Sequence, residues 1–177
     1  EEAADEPKMA RGQREAPLWA LSCVVGLCMV NRMDTLLLLA PAMLWAIQER
    51  GWTRRHILEA ASGAALPLGW MLFSLVYYGF PFPNTAYAKI GTGIGRMEMA
   101  GQGLDYLRSG FQYDPVTMVV ILAAAAWAWA AGRARPRTLT SGALLYLAYV
   151  VWVGGDFMMG RFFAAPLVLA TYTLARQ

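Results

Sequence analysis

The sequence predicts an all-α fold: a polytopic bundle of integral membrane helices with a pair of short helices and an outer amphipathic helix. Three observations carry this. Of 177 residues, 58% are hydrophobic and only 15% charged, with a mean hydropathy of +0.38, against roughly 45 to 50% apolar residues in soluble domains. Acids and bases crowd the first sixteen residues and a few short gaps. Long stretches between the gaps hold no ionisable group, and such stretches are read as membrane helices. The chain therefore divides into a polar cytoplasmic tail or linker, 1–16, and a membrane region, 17–177. With no initiator Met and no signal-peptide pattern, it reads as a fragment of a longer protein.

Taken in order, the first two apolar runs are Pro17 to Val30 and Thr35 to Ile47, separated by "NRMD". One continuous helix would carry Arg32 and Asp34 through the bilayer at several kcal/mol per charge on most scales. A hairpin of two short helices avoids that cost. Each arm would be roughly 21 Å long at ~1.5 Å per residue, too short for a ~30 Å core, so the tip is expected in a protein-lined cavity. Asp34 is expected to cap the second arm. Cys23 and Cys28 match neither a redox pair nor a zinc spacing and read as small buried hydrophobes.

The clearest span is Ile57 to Phe80, with a kink expected at Pro67. Val116 to Ala131, Ala143 to Val153 and Phe162 to Ala175 follow. The basic gaps "QERGWTRRH" and "GRARPRTLTSG" should be cytoplasmic, because arginine accumulates on that side. Alternation then puts Pro81 to Pro115 outside, together with "NRMD" and "GGDFMMGR". Three polar constellations, "NRMD", "PNTAYAK" and "GGDFMMGR", are thus expected on one face.

On that face, Tyr77, Tyr78, Phe80 and Phe82 suit an interfacial belt. Pro81 and Pro83 should end the preceding helix before Asn84 and Thr85. Ile94, Met97, Leu104, Leu107 and Phe111 recur at helical spacing with Glu98, Asp105 and Arg108 between them, which predicts an amphipathic surface helix. The glycines at 91, 93 and 95 are not the dinucleotide fingerprint.

Each candidate residue also has a purely architectural reading. Asp34 and Asn84 can cap helices. Lys89 and Arg161 can snorkel to headgroups. Asp156 is harder to set aside, because an acid directly after an apolar span marks a functional site by default; its plain alternative is a structural pair with Arg161. Acids and cations in an outer cavity suit glycosyl transfer from a lipid-linked phosphosugar. The phosphate leaves as a stable anion, so a carboxylate to activate the acceptor and a cation to hold the phosphate form a sufficient set.

"VNRMDTLLLLAPAMLW", "YYGFPFPNTAYAK" and "VWVGGDFMMGRFFAAP" resemble segments of polytopic GT-C glycosyltransferases, in particular the terminal arabinofuranosyltransferase family of mycobacteria. The resemblance runs from about Pro17 onward and is driven by these short segments. It implies a GT-C-like fold and an inverting transferase of the cytoplasmic membrane. Such an enzyme passes a sugar, arabinofuranose by this likeness, from a polyprenyl-phosphate donor to an extracytoplasmic glycan or other acceptor, with no nucleic acid as partner. Position by position, it implies Asp156 and Asp34 as catalytic-site acids that bind sugar or a divalent cation. Arg32, Asn84, Tyr87, Lys89 and Arg161 are implied on the substrate, with Lys89 and Arg161 on the phosphate. GT-C enzymes usually carry their catalytic acid on the first outer loop, a half that finds no match here, so the general base is expected outside this chain. The rival readings are a channel, transporter piece or assembly subunit, and a GT-C enzyme using another sugar. The lack of an internal repeat counts against the transporter.

Overall fold

A computed structural model describes residues 16–82, 87, 93–158 and 160–176. Among them every regular element is an α-helix. The chain runs through α1 (Leu18–Asn31), α2 (Thr35–Arg50), α3 (Arg54–Ser62), α4 (Ala65–Tyr78), α5 (Arg96–Tyr113), α6 (Pro115–Ala130), α7 (Ala134–Trp152) and α8 (Ala164–Ala175).

The hairpin expected around "NRMD" is present as α1 and α2. Its tip is Arg32, in extended conformation, followed by Met33 and Asp34. Asp34 occupies the N-cap position of α2 but its carboxylate does not cap the helix. The Thr35 hydroxyl instead donates 2.6 Å to the Arg32 carbonyl, and the Asp34 carboxylate is used elsewhere, as described below.

The expected span from Ile57 to Phe80 is two helices, α3 and α4, bent by 44°. The break falls at Gly63 and Ala64, a turn before Pro67. A proline ring clashes with the carbonyl four residues earlier, which for Pro67 is Gly63. Pro67 itself sits in the first turn of α4, where its missing N–H costs nothing. Gly63 is fixed from outside as well. The Ser22 hydroxyl accepts from Gly63 N–H at 2.9 Å and donates to the Ala60 carbonyl. A Cβ at Gly63 would lie 1.9 Å from the Ser22 carbonyl oxygen, and one at Gly26 would lie 2.2 Å from that of Gly63. Ser22 and Gly26 are one turn apart, so α1 presents a small-residue face on which the α3–α4 junction rests. Close backbone approach of this kind is how helices associate in lipid.

The end of α4 is set by Gly79, left-handed at φ 78° with its N–H on the Leu75 carbonyl. This terminator precedes the two prolines credited with that role. The outer helix α5 is present, but its buried face is Met99, Gly103, Tyr106 and Gly110. Met97, Leu104 and Phe111 point away from the bundle, at 87%, 58% and 43% exposure. Burial on α5 follows small residues because Gly103 must clear the Val151 backbone and Gly110 the Phe163 ring.

Helix α7 is the central element and packs against α2, α5, α6 and α8. It starts nine residues before the expected Ala143 and includes the arginine-rich stretch read as a gap. Pro136 lies in its first turn, and the Thr138 and Thr140 hydroxyls donate back to the Arg135 and Pro136 carbonyls, so this polar composition is compatible with helix. A Cβ at Gly142 would meet the Leu38 carbonyl oxygen at 2.0 Å, which brings α2 hard against α7. The core joins Leu38, Tyr106, Met118, Ile121, Tyr146, Val150 and Phe163.

Among the described residues no single helix is long and apolar enough to cross a membrane. The α3–α4 pair and the α5–α6 pair, bent by 108°, pass by length and composition together.

Candidate functional site

Arg32 and Asp34, at the α1–α2 tip, face Tyr146 on α7. Arg32 Nε donates to Asp34 Oδ1 at 3.1 Å and Nη2 to Oδ2 at 2.6 Å, a bidentate pair. Nη2 also donates to the Tyr146 hydroxyl at 3.0 Å, and that hydroxyl donates to Asp34 Oδ2 at 3.1 Å. The three groups close a ring in which each polar partner serves two others. The Asp34 side chain is 11% exposed and that of Arg32 27%. The hydrogen bond that Arg32 donates to Asp34 is the main influence holding its guanidinium above its ordinary value, with burial acting against it. Arg32 therefore stays charged at the edge of the core, with Nη1 outside the ring of contacts.

The loop after α7 meets this network through one side chain. Arg32 Cζ lies 4.9 Å over the ring of Phe162, and Phe162 is also 6.2 Å from the ring of Tyr146. Arg161, next in the chain, pairs through Nη1 with Asp156 Oδ2 at 3.3 Å. Asp156 Oδ1 accepts from Phe157 N–H at 2.9 Å. The Asp156 side chain is 7% exposed while that of Arg161 is 51% exposed. The loop is shaped by Gly154 and Gly155, both left-handed at φ 80° and 74°. A Cβ on Gly155 would press on Tyr106 at 2.6 Å. Tyr106 ties the loop down from α5, donating to the Met158 carbonyl at 3.2 Å and accepting from Phe162 N–H at 3.4 Å.

Two of the three constellations singled out in the sequence, "NRMD" and the "GGDFMMGR" loop, thus meet at one end of the bundle through Phe162. The Asp156–Arg161 pair is also the one that a purely structural role requires. Of the third constellation, Tyr87 is exposed, its ring 5.9 Å from Phe80 and 6.3 Å from Phe82. Asn84 and Lys89 lie outside the described residues. Tyr77 and Tyr78 are exposed and meet edge to face, with Tyr77 stacked on Phe73, while Phe80, also exposed, lies against Tyr87. Sequence reasoning missed Tyr146, Tyr106 and Phe162. The signal present was a phenol inside the otherwise apolar "ALLYLAYVVWV", since a buried hydroxyl needs a partner. Among the described residues no three His, Cys, Asp or Glu side chains come together as metal ligands.

No family model matches the chain, and no solved structure does. The chain is 28% identical over 190 residues to the terminal beta-(1->2)-arabinofuranosyltransferase of Mycobacterium tuberculosis, a match covering 92% of this chain and 29% of the relative. The likeness is that of a distant relationship, and the chain spans less than a third of the relative's length.

Proposed function

We propose that this chain is part of a membrane glycosyltransferase that moves a sugar from a polyprenyl-phosphate donor to an extracytoplasmic glycan or similar acceptor. The observation that carries the reading is the Arg32–Asp34–Tyr146 ring, stacked through Phe162 onto the loop of Asp156 and Arg161. The similarity to an arabinofuranosyltransferase along 92% of the chain supports the sugar-transfer class and, within it, arabinofuranose. The membrane setting is supported by α4, whose Leu68, Leu72 and Val76 are 59%, 64% and 81% exposed. An apolar face of that extent calls for lipid or another protein surface.

The chemistry follows from the charges. An acceptor oxygen attacks the anomeric carbon, the bond from that carbon to the phosphate oxygen breaks, and the polyprenyl phosphate departs as an anion. A guanidinium already fixed in place stabilises the developing charge without reorganising. Arg32 is held in this way by Asp34 and Tyr146 and keeps Nη1 for the phosphate; Arg161 is the second, more open cation. Asp34 and Asp156, each engaged with a guanidinium, orient the cations and contact the sugar. The acceptor's proton goes to a base contributed by another part of the protein. Lys89 joins the phosphate contacts, with Asn84 and Tyr87 on the same loop contacting substrate. A divalent cation, if one takes part, would be shared with the phosphate and held by either acid.

The test is sugar transfer by membranes containing the full protein and a polyprenyl-phosphate sugar. Arg32→Gln is expected to reduce turnover by about 100-fold with normal membrane yield. Turnover within twofold of the parent would reject the reading.

A further inference from the structure

At the opposite end of α7 a cleft of about 250 Å³ is lined by Trp127, Arg133, Arg135, Leu139, Tyr172 and Arg176, among others. It is separate from the cluster above: Arg135 and Tyr146 are eleven residues apart on α7, roughly 16 Å along the axis. Among the described residues no carboxylate lines it. Between 115 and 177 the sequence holds a single acid, Asp156, and that is paired with Arg161 at the far end. Arg133, Arg135 and Arg176 are all exposed. Arg135 Nη2 donates to the Tyr172 hydroxyl at 3.5 Å, and Arg176 lies 5.6 Å over the Tyr172 ring. One phenol thereby gathers two of the three cations.

The same end holds two buried N–H groups with no hydrogen-bond partner among the described residues, Arg137 Nε and Trp45 Nε1. Trp45 belongs there by register. Tyr146 faces Asp34 and Gly142 faces Leu38, and continuing this antiparallel pairing brings Trp45 level with Arg135. Unsatisfied buried donors at the level of an arginine cluster that no described acid lines suit a ligand rich in acceptors.

We propose that this cleft binds the phosphate headgroup of an anionic phospholipid. Planar guanidinium groups match a phosphate's oxygens in pairs. A cleft of this size takes a headgroup but not the acyl chains, and exposed apolar side chains lie on the helices that line it. Val168, one turn back from Tyr172 on α8, is 65% exposed, and Trp129 on α6 is 54% exposed. Tyr172 and Trp127 are the amphipathic aromatics that sit at headgroup level. Exposed apolar side chains near the cleft favour a lipid over a free phosphate ester. The inference rests on the membrane setting proposed above and not on sugar transfer, so a failed transfer assay leaves it standing.

The test uses the full protein in detergent, titrated with phosphatidylglycerol or phosphatidylcholine, with bound lipid read by native mass spectrometry. Phosphatidylglycerol is expected to bind at least about fivefold tighter than phosphatidylcholine. Arg135→Gln and Arg176→Gln should each weaken it by about fivefold, while Arg135→Lys, which keeps the charge and loses the planar fork, should weaken it less. Arg55→Gln, which removes a cation already paired with Glu59 at 2.8 Å, should change nothing. Equal binding of the two lipids, or equal binding by parent and glutamine variants, would overturn the site. Loss of binding in Arg135→Lys as complete as in Arg135→Gln would overturn the ionic account. Displacement of the lipid by an equal concentration of inorganic phosphate would overturn the lipid as ligand.

Discussion

The two sides of the bundle are held by different physics. Where α1 meets α3 and α4, contact is backbone on backbone: Ser22, Gly26 and Gly63 interlock, and α4 buries only Pro67 and Ser74. Around α7 the contacts are large side chains, with Tyr146, Met118, Ile121, Val150 and Phe163 at 2% exposure or less. The α7 side contains its own core, and the ionic ring is built against that core. The α4 side leaves most of its apolar surface outward, so its stability depends on what surrounds it. The lesson is that a chain this apolar need not hide all its hydrophobes; on the α4 side it hides small residues instead.

Four measurements break or sharpen that contrast. The largest effect is expected for Gly63→Val, which forces a side chain into the Ser22 backbone and should destabilise the protein by about 3 kcal/mol in detergent denaturation. Gly69→Val in the same lobe, where an added Cβ meets nothing within 4 Å, is the control and should shift little. Equal effects would mean that the small-residue face is not what holds this side. Next comes Tyr146→Phe, which takes one hydrogen bond from Arg32 and one from Asp34 while keeping the ring. A loss of about 2 kcal/mol is expected from the two partners left short, along with reduced sugar transfer; an unchanged midpoint would detach the ionic ring from the α7 core. Ser22→Ala should cost about 1 kcal/mol, because Gly63 N–H is left without its acceptor. The smallest effect belongs to Asp114, whose carboxyl is held below its ordinary value by the Thr117 side chain and then by its backbone N–H, which it accepts at 3.2 Å. A lowered folded value means that the cap stabilises above the ordinary carboxylate pKa of ~3.9 and loses its effect as pH falls through the folded value. Asp114→Asn should therefore match the parent at pH 7, because Asn caps about as well as Asp, and flatten the decline below about pH 4.

Much of this was legible in the sequence. Of the two arrangements open to the apolar runs around "NRMD", the cost of carrying two charges through lipid favours the hairpin that is present, and ionisable residues within apolar sequence led to Arg32, Asp34, Asp156 and Arg161. What stayed hidden has separate causes. On α5 the hydrophobic spacing gives the amphipathic surface helix but not the face that meets the bundle, which is Met99, Gly103, Tyr106 and Gly110, since glycine permits the closest approach. Pro67 was assigned the kink at its own position although its ring acts on the carbonyl of Gly63. The start of α7 looks like a gap because arginine, proline and threonine suggest one, yet Pro136 falls in the first turn and the threonine hydroxyls find partners within the helix. Tyr146 passed as filler because its polar atom is a single oxygen among many carbons.

The shared face of Phe162 has a mechanical consequence. A ligand that draws Arg32 outward must lift a cation from an aromatic ring, an attraction of about 0.5 to 1 kcal/mol at such sites. The strand of backbone that carries that ring also carries Arg161, so occupancy at the hairpin's tip and the posture of the neighbouring loop move as one linked equilibrium.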